Sequence, residues 1–208
     1  TGTIIMEQGS EEWFAARLGR VTASRVADVM AKTKSGYGAS RKNYMMELLC
    51  QRLTGKREDS FTNAAMQRGT DLEPIARGRY EIENSLFVDE VGLVDHPSIE
   101  TFAASPDGLV GDIGLLEIKC PNTATHVDFL QSGKIPAKYQ TQMTVQMLCT
   151  ERKWCDFVSF DDRLPEALQY KCKRFELDEA RGKEITEAVV LFLAELDKII
   201  DDLVKGSV

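Results

Sequence analysis

Histidine is almost missing from this chain: His96 and His126 are the whole complement. Neither a HExxH zinc helix nor catalysis by paired imidazoles can be assembled from them. The five cysteines (Cys50, Cys120, Cys149, Cys155 and Cys172) are odd in number, scattered, and form no CxxC pair. That argues against a zinc ribbon or a disulfide framework, and for reduced thiols in a cytoplasmic compartment. No apolar run approaches the roughly 20 residues of a membrane span. The opening TGTIIMEQGS lacks the basic-then-apolar order of a secretory signal. Repeats, low-complexity tracts and Pro/Gly-rich linkers are absent too, so residues 1–208 are expected to form a single domain. Its chemistry has to come from carboxylates, Lys, Ser, Thr or Tyr.

A net charge of −7 argues at first against a nucleic-acid partner. The distribution argues the other way. Arg17 to Arg57 holds ten Lys/Arg against two acids, Asp28 and Glu47, whereas residues 175–205 hold nine acids against four bases. A basic segment on an acidic body suits a chain that attracts phosphates in one place; a solvated helix face is the plainer alternative.

Periodicity and punctuation predict the elements. Ser10 caps a short helix that runs to Leu18 and stops at Gly19. Thr22 or Ser24 caps a second helix through Lys32, SGYGAS is a loop, and a helix from Arg41 to Leu53 ends at Gly55. A longer helical stretch from Asn63 to Glu83 contains Pro74, which is expected to kink it or begin a new segment. The middle reads as strands: LFVDEVGLVDHP, ETFAASPDG and GLLEIKCP. A short helix from Thr125 to Gln131 and a firmer one from Pro136 to Cys149 follow, then strands WCDFVSFD and LQYKCKRFEL. In the last helix, Asp178 to Leu203, residues Ile185, Val189, Phe192, Leu196, Ile199 and Leu203 form an apolar stripe. It serves as an oligomer seam or, more commonly, packs on the sheet. The order of elements indicates an α/β domain with a central mixed sheet flanked by helices.

The chemistry concentrates in SPDGLVGDIGLLEIKCP. On a strand, Leu115, Glu117 and Lys119 share one face and Leu116, Ile118 and Cys120 the other. An acid and an amine then point into one space from an apolar strand. Alone, that pair reads more readily as a surface salt bridge, and Asp-Gly alone reads as a turn. Together they say more. Asp107 ends the preceding strand ten residues before Glu117, so adjacent strands bring the two carboxylates side by side. Two carboxylates and a backbone carbonyl suit Mg²⁺ or Mn²⁺, with water and phosphate oxygens completing the shell. Lys119 can orient a water and offset charge on a phosphate in transition. The joint pattern points to a metal-dependent nuclease.

SPDG and LEIKCP resemble the core of the PD-(D/E)xK nuclease superfamily. With WFAARLGRVTAS, RGTDLEPIAR and YQTQMTVQM, in order from about Gln8 to Asp161, the chain is similar to the phage lambda-type 5′→3′ exonucleases, the YqaJ-like viral recombinase family. The resemblance implies a restriction-endonuclease-like fold. Asp107, Glu117 and the Ile118 carbonyl would hold Mg²⁺, Glu73 would be a further acidic site residue, and Lys119 would handle the nucleophilic water. Gln142 would lie in the site with Tyr139 one turn earlier, and Arg17, Ser24, Ser105 and Gln142 would bind a 5′-phosphate. The position of the family's wedge leucine reads Met66, and that of a minor-groove arginine reads Lys34. Arg17 as a plain surface arginine and Ser24 as a plain cap are the alternatives.

The resemblance further implies digestion of one strand of duplex DNA from a 5′-phosphorylated end, a homotrimeric ring, and a partner single-strand annealing protein in a phage or prophage recombination system of a bacterial host. Competing readings are another PD-(D/E)xK endonuclease, an iron–sulfur RecB-like nuclease, and an inactive DNA-end-binding module. The dispersed cysteines speak against the second, the intact Asp107, Glu117 and Lys119 against the third.

Overall fold

In the computed structural model, which describes residues 3–4, 6–59 and 61–206, the helices follow the predicted order but the β-structure divides in two. The first half of the chain forms β1 (Thr3–Ile4), α1 (Glu11–Arg17), β2 (Val21–Thr22), a 3-10 turn (Ala23–Arg25), α2 (Val26–Val29), β3 (Lys32–Thr33), β4 (Gly36–Tyr37), α3 (Ala39–Thr54) and α4 (Ala64–Asn84). The second half forms β5 (Leu93–Asp95), β6 (Phe102–Ala104), β7 (Gly108–Val110), β8 (Gly114–Lys119), α5 (Thr123–Ser132), α6 (Ala137–Thr150), β9 (Trp154–Phe160), β10 (Tyr170–Glu176) and α7 (Glu179–Lys205).

Side-chain caps fix most helix starts. Ser10 accepts from the Trp13 N–H, Asn63 from Met66, Asn122 from Thr125, and Asp178 from Ala180 and Arg181. Gly55 ends α3 at φ 67°, a conformation open to glycine at little cost. The second predicted helix is much shorter than expected. Neither Thr22 nor Ser24 caps it through its side chain, and after Val29 the chain turns into the β3–β4 hairpin. Gly38 closes that hairpin by donating to the Ala31 carbonyl at 2.8 Å. Pro74 does not split its helix: α4 runs unbroken from Ala64 to Asn84.

A mixed sheet in the order β10-β9-β8-β7 carries the centre of the molecule, with β8 and β9 parallel and the outer pairs antiparallel. One face, Leu116, Ile118, Val158 and Phe160, packs on Leu72, Ala76 and Tyr80 of α4. The other, Leu115, Cys155 and Phe157, packs on Phe129 of α5 and Met143 and Met147 of α6. Full burial of each such side chain contributes about 1.5–3 kcal/mol. A second sheet, β1-β5-β6-β2, takes β5 and β6 from two of the expected strands and adds the unexpected β1 and β2; the long strand expected from Leu86 to Pro97 shrinks to β5 plus one bridge from Asp89 to Leu109. In α7, Ile185, Val189, Phe192 and Leu196 are fully buried, but mainly among α2, α3 and α6 rather than on a sheet. Ile199 and Leu203 lie exposed beyond that contact. No described helix is long and apolar enough to cross a membrane.

Candidate active site

The site begins where β7 runs out. Leu109 exchanges backbone hydrogen bonds with Asp89, at 2.8 and 3.1 Å, so it is Gly108 whose peptide faces Leu116 across the β7–β8 ladder. Two residues further along β8, the Ile118 N–H and carbonyl point to the same edge, with no residue of β7 opposite. Asp107 fills the gap, its Oδ2 accepting from the Ile118 N–H at 2.7 Å. The edge therefore presents the Asp107 carboxyl beside the Ile118 carbonyl.

Glu117 turns to the face covered by α6 and is 2 % exposed. Such a charge costs several kcal/mol unless paired, and here both oxygens are held. Oε1 pairs with Lys119 Nζ at 2.8 Å and accepts from Gln142 Nε2 at 3.2 Å; Oε2 accepts from Gln146 Nε2 at 2.8 Å. Lys119 Nζ also donates to Gln142 Oε1 at 3.4 Å and lies 4.6 Å from the Tyr139 ring, which stacks on Phe157. Tyr139 and Gln142 thus share one face of α6, as their spacing predicts. Burial works against the Lys119 charge, but Glu117 and Asp107 outweigh it and hold the ammonium above its ordinary pKa.

Glu73 reaches the same place from α4. Asp107 is held well above the ordinary carboxyl range, first by burial, then by Glu117, and then by Glu73, which is also hydrogen-bonded to it. Arg77, one turn after Glu73, donates through Nη2 to Glu73 Oε2 at 3.2 Å and to the Asp107 carbonyl at 3.4 Å. Crowded carboxyls that resist ionisation are a setting in which a cation is favoured. The donor set, Asp107, Glu117 and the Ile118 carbonyl, fits a hard divalent ion that keeps several waters. Among the described residues no three His, Cys, Asp or Glu side chains are placed to hold a metal ion together, and the donor set here is two carboxylates and a backbone carbonyl. The five cysteines are all free thiols.

A cavity of about 540 Å³ is lined by Arg17, Ser24, Arg25 and Arg57, with the acids Glu47, Glu58 and Asp59 also on its wall. Arg17 lies over the Trp13 ring at 4.0 Å, and its Nη2 donates to Thr22 Oγ1 at 3.4 Å. No carboxylate among the described residues pairs with it. Burial pulls its pKa down to about 10, and Arg57 and Arg25 add to the effect. Arg25 is offset by Asp28 at 2.8 Å and Glu47 at 2.9 Å, whereas Arg57 stacks on Phe14 at 3.7 Å. A concave site with an uncompensated guanidinium and hydroxyl donors suits an anion. Trp13 joins it to the carboxylate centre, because its Nε1 donates to Ser105 Oγ at 2.9 Å, two residues before Asp107. The 3-10 turn bearing Ser24 packs on α6, the helix of Gln142.

The structure thus gathers Asp107, Glu117, Ile118, Lys119, Glu73, Gln142 and Tyr139 at one centre and Arg17 with Ser24 in the adjoining cavity, with Ser105 between. Met66 lies outside, exposed on the first turn of α4, and Lys34 between the strands of the β3–β4 hairpin. Gln146, Arg77, Arg57 and Trp13 were not foreseen. Gln146 and Arg77 each stand four residues after a predicted site residue, a spacing that puts them on its helix face.

A mixed sheet flanked by helices, with an Asp turn and a Glu-x-Lys strand at the end of a ladder, defines a PD-(D/E)xK-like core. Residues 12–153 match the YqaJ-like viral recombinase domain, and the chain belongs to that family. It is homologous to the alkaline exonuclease LHK-Exo from Laribacter hongkongensis, at 61% identity and a TM-score of 0.90 over 95% of this chain and 98% of that one. The same figures hold for the structure of LHK-Exo in complex with dAMP. A phage related exonuclease from Haemophilus somnus 129PT shares the fold at 18% identity and a TM-score of 0.72, over 88% and 96% of the two chains. An uncharacterized protein of Acanthamoeba polyphaga mimivirus, R354, is 28% identical over 165 residues. That match covers 73% of this chain but only 29% of the mimivirus protein's length.

Proposed function

We propose that the chain is a Mg²⁺-dependent deoxyribonuclease that digests one strand of duplex DNA from a 5′-phosphorylated end. The observation that carries this reading is the adjacency of the two halves. The Asp107–Glu117–Lys119 centre and the Arg17 cavity are joined through Trp13 and Ser105. A terminal phosphate carries more charge than an internal one, so an uncompensated arginine beside a hydrolytic centre favours a chain end. LHK-Exo in complex with dAMP supports a nucleotide ligand.

The residues divide the work. Asp107, Glu117 and the Ile118 carbonyl would hold a divalent ion, Mg²⁺ or Mn²⁺, which would supply Lewis acidity for water and for the scissile phosphate. Lys119, kept charged by Glu117 and Asp107, orients the attacking water and donates to a phosphate oxygen as negative charge develops. Gln142 aims Lys119, and Gln146 fixes Glu117. Arg17, Ser24 and Ser105 hold the 5′-phosphate, with Gln142 on the side of the scissile bond. Met66 and Lys34 are assigned to the duplex itself, Met66 as an apolar wedge and Lys34 at the minor groove. The proposal extends to a homotrimeric ring, an annealing-protein partner, and action in the cytoplasm of a bacterial host during phage-type recombination.

The test is digestion of linear duplex labelled at either end, with Mg²⁺ or chelator, beside nicked circles and a sizing measurement. Loss of the 5′-labelled strand first, only with metal, is expected. Lys119→Ala should lower cleavage by about 10²-fold or more while end binding persists. Arg17→Ala should slow 5′-phosphorylated ends selectively. Unchanged cleavage by the first sinks the mechanism; equal loss on hydroxyl ends by the second sinks the pocket.

A further inference from the structure

Arg77 has no place in the mechanism above, yet it touches two of its parts. It is 9 % exposed, and its fork reaches three segments. Nη2 donates to Glu73 Oε2 on α4 and to the Asp107 carbonyl in the turn before β7, and Nη1 pairs with Glu90 at 3.3 Å. Its Nε is buried without a partner. Bonds of 3.2–3.4 Å are long for charge-assisted pairs, and a buried ion pair with an orphaned donor is a poor source of stability. Its geometric effect is more specific. Asp107 is anchored on one side by the Ile118 N–H and on the other, through its own carbonyl, by Arg77. Glu73 is tied to the same nitrogen.

We propose that Arg77 is a positioning residue for the cation site, holding the helix that bears Glu73 at a fixed distance from the turn that bears Asp107. The inference rests on the metal-site reading above. The sign of the effect separates positioning from charge balance. Removing a cation from beside three carboxyls, by electrostatics alone, tightens divalent binding; removing a spacer weakens it.

Mn²⁺ binding followed by the EPR signal of the free ion tests this without reference to activity. For Arg77→Gln, affinity is expected to fall about 10-fold or more, the range typical of groups that orient metal ligands. The Mg²⁺ concentration for half-maximal cleavage should rise in step, and the preference for 5′-phosphorylated ends should persist. Arg77→Lys keeps the charge but loses the fork, and should be weakened comparably; it carries the test if Arg77→Gln does not fold. Glu90→Gln, which leaves the bonds to Glu73 and Asp107 in place, should bind Mn²⁺ as the unaltered protein does. Equal or tighter binding by Arg77→Gln, or full affinity in Arg77→Lys, overturns the inference. Absence of Mn²⁺ binding by the unaltered protein overturns the cation site itself.

Discussion

Asp107 is where the cost of the site is concentrated. Burial, Glu117 and Glu73 raise its pKa well above that of a free carboxyl, so the folded chain holds a proton that the unfolded chain releases. Metal-free stability should therefore be greatest below the ordinary carboxyl range and fall as pH rises toward the raised pKa, by at most about 1.4 kcal/mol per pH unit for one proton. A cation that binds the ionised form reverses the trend. Melting curves with and without Mg²⁺ should differ least in acid and increasingly as pH rises; the same Mg²⁺ shift throughout would count against Asp107 as a ligand. At this scale the sequence was most readable. Asp107, Glu117 and Lys119 declare themselves because strand alternation and a turn are local rules. Gln146 and Arg77 do not, since a buried Gln or Arg on a helix reads as surface until the strand it faces is known.

Among elements, α4 most directly joins fold and chemistry. Its first half is tied to the end of β9 by Arg68, which pairs with Asp161 at 3.2 Å and with Asp162, and its middle carries Glu73 to the centre. Pro74 sits inside it, so the Thr70 carbonyl lacks its usual i+4 donor. Pro74→Ala should add up to about 3 kcal/mol of stability, seen as a higher denaturant midpoint. Cleavage should change little, because α4 already runs unbroken past Pro74 and carries Glu73 in the same place. Raised stability with lost activity would show that Pro74 itself sets the position of Glu73. The expected kink came from a sound rule about one residue, but packing of Leu72, Ala76 and Tyr80 on β8 and β9 keeps the helix going through it. The opposite failure occurred in the small sheet. Strands of two residues, such as β1 and β2, are too short to show any period, and only their long-range pairing defines them. The β3–β4 hairpin escaped for the same reason.

For the whole molecule, the question is how a chain of net charge −7 holds DNA. Four of the ten cations of the basic segment are spent internally: Arg20 on Asp95, Arg25 on Asp28 and Glu47, Arg41 on Glu195, and Arg52 on Asp197. Arg17 and Arg57, at the cavity, have no such partner among the described residues. The overall charge therefore overstates the repulsion, and the count of basic residues overstates the attraction. What matters is which guanidinium groups form no ion pair among the described residues, even though Glu47, Glu58 and Asp59 share the cavity wall. Each phosphate contact releases counterions and contributes about −0.9 to the slope of log affinity against log salt on duplex DNA. Arg57→Ala should weaken binding to a 5′-phosphorylated end and flatten that slope by about 1. Because Arg57 stacks on Phe14 rather than touching Lys119 or Glu117, the cleavage rate at saturating DNA should change little. Titrations of labelled duplex over a salt series, on phosphorylated and hydroxyl ends, decide it. A slope unchanged from that of the parent chain would mean that Arg57 faces solvent rather than phosphate, and that Arg17 carries the anion alone.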